Sequence, residues 1–163
     1  MNNLCVIPAR GGSKRIPKKN IRLFSGKPII SWSILSAIKS NCFSEIVVST
    51  DNSEIASIAL EYGASVPFVR PSSLSNDIAG TRQVINHTID WFNSSGRSFD
   101  SVCCLYATSP FTRYSDISLG LNILEQVRSN RFVFPVTTYV YPIMRSLTID
   151  SNGDSRVINP IAA

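Results

Sequence analysis

The run Leu4-Cys5-Val6-Ile7, followed at once by Pro8-Ala9-Arg10-Gly11-Gly12-Ser13-Lys14-Arg15, constrains the fold more than any other part of the chain. Four consecutive apolar residues without polar alternation suit a strand covered on both faces, the place of an inner strand in a parallel sheet between helices. The glycine pair lets backbone N–H groups come close to an anion at the strand's end. Arg10, Lys14 and Lys19 add cations, each able to make a charge-assisted hydrogen bond of about 1.5–3 kcal/mol. Walker A spacing and the Gly-x-Gly-x-x-Gly fingerprint are both absent, so two readings stay open: a phosphate cradle of another kind, or a solvated basic loop.

Charge placement favours the cradle. Eight of the 16 basic residues fall within the first 39 positions, and no acidic residue precedes Glu45. Glycine and proline interrupt this basic block, which lies between a strand and a helix, so a compact polyanion such as a triphosphate fits it better than a nucleic-acid duplex. The length of 163 residues suits one domain, and 44% hydrophobic against 17% charged residues is a globular composition. Apolar runs are too short for a membrane span and no signal-peptide pattern opens the chain, which points to the cytoplasm with no membrane partner. Cys5, Cys42, Cys103 and Cys104 form no Cys-x-x-Cys pair, and His87 is the single histidine, so reduced thiols are expected rather than a zinc site.

Strands and helices alternate. Pro28 can open a helix in which Ile30, Ile34 and Ile38 recur at four-residue spacing, and residues 45–50 read as the second strand. Asp51 is expected to cap the next helix, with Glu54 completing a capping box. Residues 65–69 look like a short third strand and Arg70–Gly80 like a loop. Residues 81–94 carry Ile85, Thr88, Ile89 and Phe92 on one helical face. Residues 101–106 read as a buried strand. Asp116 is expected to start a helix with Ile117, Leu121 and Leu124 inward, and residues 132–136 to form a strand. The tail from Asp150 shows turn signals but no clear element. The pattern predicts an α/β fold, a three-layer Rossmann-like sheet, mostly parallel, with helices on both faces. Ligands of such sheets bind at the strands' carboxyl ends, in the loops after Ile7, Val69 and Tyr106.

Residues 7–20, Ile-Pro-Ala-Arg-Gly-Gly-Ser-Lys-Arg-Ile-Pro-Lys-Lys-Asn, resemble the signature of the CMP-sialic acid synthetase family. Further stretches match in order: Gly26-Lys27-Pro28; Val48-Ser49-Thr50-Asp51 with Glu54-Ile55-Ala56; Arg70-Pro71 with Leu74 and Asp77; and Thr108-Ser109-Pro110. Within that family, residues 103–111 and Tyr141-Pro142-Ile143-Met144-Arg145 look most like the pseudaminic acid cytidylyltransferases. The resemblance implies a nucleotidyltransferase that moves CMP from CTP to the anomeric hydroxyl of a nine-carbon sugar acid with Mg²⁺, releasing pyrophosphate. It assigns nucleotide binding to Ala9, Arg10, Gly11, Gly12, Ser13, Lys14, Lys19, Asn20, Arg70, Ala79, Gly80 and Thr81, with Arg10, Lys14 and Lys19 as the catalytic cations. Tyr106, Thr108 and Ser109 are its sugar-side candidates.

Two departures shape the expectation. Sialic acid synthetases usually carry Gln-Pro-Thr-Ser-Pro where this chain has Tyr106-Ala107-Thr108-Ser109-Pro110, which favours a pseudaminic-type acid over N-acetylneuraminate. The family's metal-binding aspartates are expected beyond residue 163. The chain therefore reads as C-terminally truncated, with the dimerisation and metal-binding part missing or only begun after about residue 135. A homodimer is implied for the full-length form, and the 163-residue chain is expected to be inactive alone. A sialic or eight-carbon sugar acid as substrate, or a nucleotide-binding fragment without turnover, are the alternatives. Asp77 reads equally well as a brace of its own loop or a ligand contact, and Tyr106 as core or sugar contact. His87 reads as a solvated helix residue.

Overall fold

The computed structural model describes residues 2–127, 132–138 and 147–157, and divides into two compact units, residues 1–131 and 132–163. In the first unit, β1 (Asn3–Pro8) is the middle strand of a parallel sheet in the order β4-β1-β5, with β4 at Glu45–Ser49 and β5 at Ser101–Cys104. Between β1 and β4 lie a 3₁₀ turn (Lys19–Ile21), a two-residue ribbon of β2 (Leu23–Phe24) and β3 (Lys27–Pro28), and α1 (Ile29–Ser40). The chain then runs through α2 (Ser53–Glu61), a 3₁₀ turn (Ser72–Leu74), α3 (Thr81–Ser94), β5 and α4 (Tyr114–Gln126).

The apolar run of β1 explains the three layers. Cys5 and Ile7 join Val48 of β4, Ile30, Ile34 and Ala37 of α1, Ile55 and Ala59 of α2, and Ile117 of α4 in one core. Leu4 and Val6 face the other way, with Val47 and with Phe92 of α3, into a second core. Successive side chains of a strand point to opposite faces, so an uninterrupted apolar strand needs cover on both. The expected α/β architecture, helices on both faces of a parallel sheet, is what the chain adopts. Trp32 marks the first core's side, donating its Nε1–H to Phe24 O at 3.0 Å. Trp91 lies on the second core's side, edge-on to Phe92 and tilted against Phe68.

Several local expectations need correction. Ile38 is 39% exposed and Ala37 takes the third inward position of α1, because a 3.6-residue turn drifts away from strict four-residue spacing. Residues 65–69 form a single bridge, Ser65 beside Val47, rather than a strand. The ladder stops there because Ser65 alone exchanges backbone bonds with β4, through Ile46 O and the N–H of Val48. Residues 105–106 lie beyond the end of β5, and α4 starts at Tyr114, two residues before Asp116. His87 is half-buried with its ring edge-on to Phe68, 4.7 Å between centroids, rather than solvated.

In the second unit, residues 132–138 carry no regular element, and Phe132, Phe134 and Val136 are exposed. An apolar sequence makes a strand only where a partner backbone supplies the ladder. A hairpin unforeseen in the sequence joins β6 (Leu147–Ile149) to β7 (Ser155–Val157), its turn closed by Asp150 Oδ1, which accepts from the N–H of Asn152 and Asp154. Tyr141-Pro142-Ile143-Met144-Arg145 lies outside the described residues. All four cysteines are free thiols, and burial pushes Cys104 up to about 11. No helix among the described residues is long and apolar enough to cross a membrane.

Phe92 is 1% exposed and anchors the second core, so Phe92→Ala is expected to destabilise the first unit by about 3–5 kcal/mol, read from the shift of a urea unfolding midpoint.

Candidate active site

The order β4-β1-β5 makes the chain leave β1 toward one side of the sheet and return on the other, so loops part above the carboxyl ends of β1 and β5. A crevice belongs at such a switch point. There the structure has an open cleft of about 210 Å³, lined by Pro8, Arg10, Ser13, Lys19 and Asn20 from the loop after β1. Arg70, Leu74, Asn76, Asp77 and Ala79 come from the loop before α3, Thr81 and Val84 from α3, and Tyr106, Ala107 and Thr108 from the segment after β5.

The end of β4 ties two of these loops together. Ser49 O accepts from the N–H of Ala9 at 2.9 Å, and Thr50 O from the N–H of Arg70 at 2.8 Å. Asp51 does not cap α2. That task falls to Asn52, whose Oδ1 accepts from the N–H of Ile55 at 3.0 Å. Asp51 Oδ1 instead accepts the N–H of Gly11 at 2.8 Å and lies 3.6 Å from Arg70 Nη2. Two adjacent residues of the Asx class can exchange these roles, and only geometry decides which caps. Gly11 must be glycine for a related reason: a Cβ there would lie 2.9 Å from Asn52 Cβ.

Arg70 is 4% exposed, with Nε donating to Ser75 Oγ at 3.2 Å, while its Nη2 has no hydrogen-bond partner. Burial, and secondarily the charge of Arg10, lower its pKa; Asp51 opposes the shift. Arg10 and Lys14 meet one carboxylate: Asp77 Oδ1 is 2.7 Å from Arg10 Nη1, and Asp77 Oδ2 is 2.5 Å from Lys14 Nζ. Hydrogen bonds from Lys14 and then Arg10 hold the Asp77 carboxyl below its ordinary range. A depressed carboxyl keeps its pairing at neutral pH and loses it only as pH falls through the lowered value. Lys18 pairs with Glu54 at 2.7 Å, leaving Lys19 as the cation of the 3₁₀ turn that lines the cleft.

Nine of the residues that the resemblance assigns to the site converge on the cleft, Arg10, Ser13, Lys19, Asn20, Arg70, Ala79, Thr81, Tyr106 and Thr108, together with Asp77. The others support it from outside. Ala9 is buried, Gly11 is tied to Asp51, and Lys14, with 81% of its side chain exposed, stands at the rim through Asp77. Gly12 has open space where a Cβ would be, and Ser109 donates its N–H to Tyr106 O. Gly80 N–H donates to Gln83 Oε1, and that of Ala79 to Asn76 Oδ1. Asn20 Nδ2 likewise closes the loop on Arg10 O at 2.9 Å. Tyr106 is 56% exposed, its hydroxyl 3.5 Å from Thr81 Oγ1 across the cleft, so it is not a core residue. Ser33 and Ser36 of α1 hold this segment by donating to Tyr106 O and Thr112 O.

Sequence reasoning passed over Asn76 and Ala107 as lining residues. An Asn two residues before Ile78 signals an Asx turn, and that signal could have found Asn76. Among the described residues no three His, Cys, Asp or Glu side chains gather as a metal set, and Asp51 and Asp77 are both already matched with cations.

A cytidylyltransferase family model matches residues 4–144. The chain is 46% identical to a pseudaminic acid cytidylyltransferase of Campylobacter jejuni over 159 residues, covering 94% of this chain and 66% of that protein. It is 48% identical to the CMP-N,N'-diacetyllegionaminic acid synthase of Legionella pneumophila over 126 residues, covering 76% of this chain and 53% of that one. The chain thus spans only about half to two-thirds of the length of these relatives. Among solved structures, CMP:2-keto-3-deoxy-manno-octonic acid synthetase complexed with CTP superposes with a TM-score of 0.65 at 23% identity, covering 77% of this chain and 48% of that one, a likeness of fold.

Gly11→Ala and Gly12→Ala separate the two glycines. Gly11→Ala is expected to lower stability by about 1–3 kcal/mol through the clash with Asn52, and Gly12→Ala to stay within about 0.5 kcal/mol, both in urea unfolding.

Proposed function

The chain belongs to the cytidylyltransferase family, and on that premise we propose that it transfers CMP from CTP to the anomeric hydroxyl of a nine-carbon sugar acid, releasing pyrophosphate. The observation that carries this reading is the convergence of Arg10, Ser13, Lys19, Asn20 and Arg70 on one cleft at the carboxyl ends of β1 and β5. The sugar hydroxyl attacks the α-phosphorus, pyrophosphate leaves, and catalysis is mostly positioning and neutralisation of spread negative charge. Arg10, Ser13 and Lys19 hold the triphosphate, with Lys14 reaching in from the rim. Asn20, Arg70, Ala79 and Thr81 face ribose and cytosine, and Tyr106 and Thr108 the sugar acid. Ala9, Gly11, Gly12 and Gly80 complete the nucleotide-binding set through the backbone.

A pseudaminic-type acid is the favoured substrate. Tyr106-Ala107 in place of Gln-Pro, and the identity to the Campylobacter protein, support it. Mg²⁺ would neutralise phosphate charge in this chemistry. Asp51 and Asp77, both engaged by cations, do not fit a metal site. Residues 1–163 are read as the nucleotide-binding domain, with the dimerisation and metal-binding part only begun after about residue 135, and the full-length form as a cytoplasmic homodimer acting on small molecules rather than nucleic acid.

Calorimetry with CTP, UTP and ATP tests the nucleotide site. CTP is expected to bind tightest, because a site that pairs with cytosine's amine rejects uracil, which carries a carbonyl there, and one sized for a pyrimidine excludes adenine. Arg10→Ala is expected to weaken CTP binding by about 10- to 150-fold, the loss of one charge-assisted contact. Equal affinity for the three nucleotides would refute the cytosine assignment. Pyrophosphate release with CTP, Mg²⁺ and a panel of sugar acids then tests the reaction. Faster turnover of N-acetylneuraminate would refute the pseudaminic preference, and CTP binding without turnover would favour the fragment reading.

A further inference from the structure

We propose that Asp77 is a placeholder anion: in the nucleotide-free chain its carboxylate takes the phosphate-binding positions of Arg10 and Lys14, and an incoming polyphosphate displaces it. This rests on the reading of the loop after β1 as the phosphate site.

Each carboxylate oxygen of Asp77 serves one cation, Oδ1 the guanidinium of Arg10 and Oδ2 the ammonium of Lys14. Two oxygens on one atom, shared between two cations, is also how a phosphate group would engage them. Without an anion the two cations would repel each other, with Lys19 and Arg70 lining the same cleft. The carboxylate thus keeps the loop ordered while no ligand is present. It is also easily replaced, because side chains 45% and 81% exposed hold each other weakly in water.

Asp77 does not brace its own loop. Asn76 Oδ1 shapes that turn by accepting from the N–H of Ile78 at 2.9 Å and of Ala79 at 2.8 Å. Ser75, joined to Pro71 O and to Arg70 Nε, fixes the turn's other end. The side chain of Asp77 is left to work between loops. Asp51 makes the contrast: it is tied to a backbone N–H and a buried guanidinium, and no ligand needs it to leave. Asp77 is therefore a positioning residue. Its displacement links the arrival of phosphates to the loop that carries Ala79.

Inorganic tripolyphosphate, in a chelator-containing buffer of low ionic strength, is the probe. Asp77→Asn removes the competing charge and keeps the shape, so the variant chain is expected to bind tripolyphosphate about three- to tenfold tighter than the parent. Asp77→Glu is expected to return affinity toward the parental value. Amide exchange over residues 10–20 should be faster in free Asp77→Asn than in the free parent, and equal in the two once tripolyphosphate is bound. A residue that merely braced the cleft would weaken binding when changed, and ligand would not equalise the exchange. Binding by Asp77→Asn equal to or weaker than the parent's overturns the placeholder and leaves the phosphate site standing. If the cooperatively melting parent binds neither tripolyphosphate nor CTP, the phosphate-site reading falls, and the placeholder with it.

Discussion

An arginine with 4% of its surface in contact with solvent is an unfavourable thing to fold around, and much of the cleft follows from how Arg70 is accommodated. The end of β4 does this. Thr50 O takes the backbone N–H of Arg70, and Asp51 sets its charge 3.6 Å from the side chain. Asp51 also fastens Gly11, and Ser49 O fastens Ala9. The loop after β1 and the loop before α3 are thus fixed to one short segment rather than to each other. That arrangement fixes where both loops start, and the solvent-exposed pairing of Asp77 with Arg10 and Lys14 orders the stretch between them while no ligand is present.

The other wall of the cleft is positioned by different means. Ser33 and Ser36 sit on the helix that covers β1, and their hydroxyls hold carbonyls of the segment after β5. Helical serines facing a loop can satisfy its backbone where no ladder remains to do so. Tyr106 and Thr108 are therefore placed by the same helix that packs Ile30 and Ile34 against the sheet. Core packing and cleft geometry are parts of one construction.

Much of this was legible in the sequence, for reasons that can be named. The apolar run of β1 implied two-sided cover, and the parallel sheet implied a cleft lined by the loop after β1, because both depend on neighbouring residues. What failed to read depends on partners distant in sequence. Asp51 and Asn52 are equivalent caps until Gly11 and Arg70 claim one of them. Residues 65–69 have strand-like composition, yet only Ser65 finds its partner in β4. The β6–β7 hairpin was hidden because three-residue strands carry almost no periodicity, although Asp150 and Gly153 mark its turn. Asp77 belongs to the stretch that opens with Arg70-Pro71, but its double pairing lies in no local pattern. Arg10 and Lys14 had to be folded against it first.

The two tryptophans divide along the same sheet. Trp32 reports from α1, where its indole N–H holds the ribbon that follows the basic loop, and Lys27 lies over its ring at 5.6 Å. Trp91 reports from α3 among Phe68, Phe92 and His87's neighbourhood. Each layer thus carries its own intrinsic fluorophore. A single-tryptophan variant of either kind turns emission into a record of one face alone, so the melting of the two layers can be followed separately in the same chain without any added label.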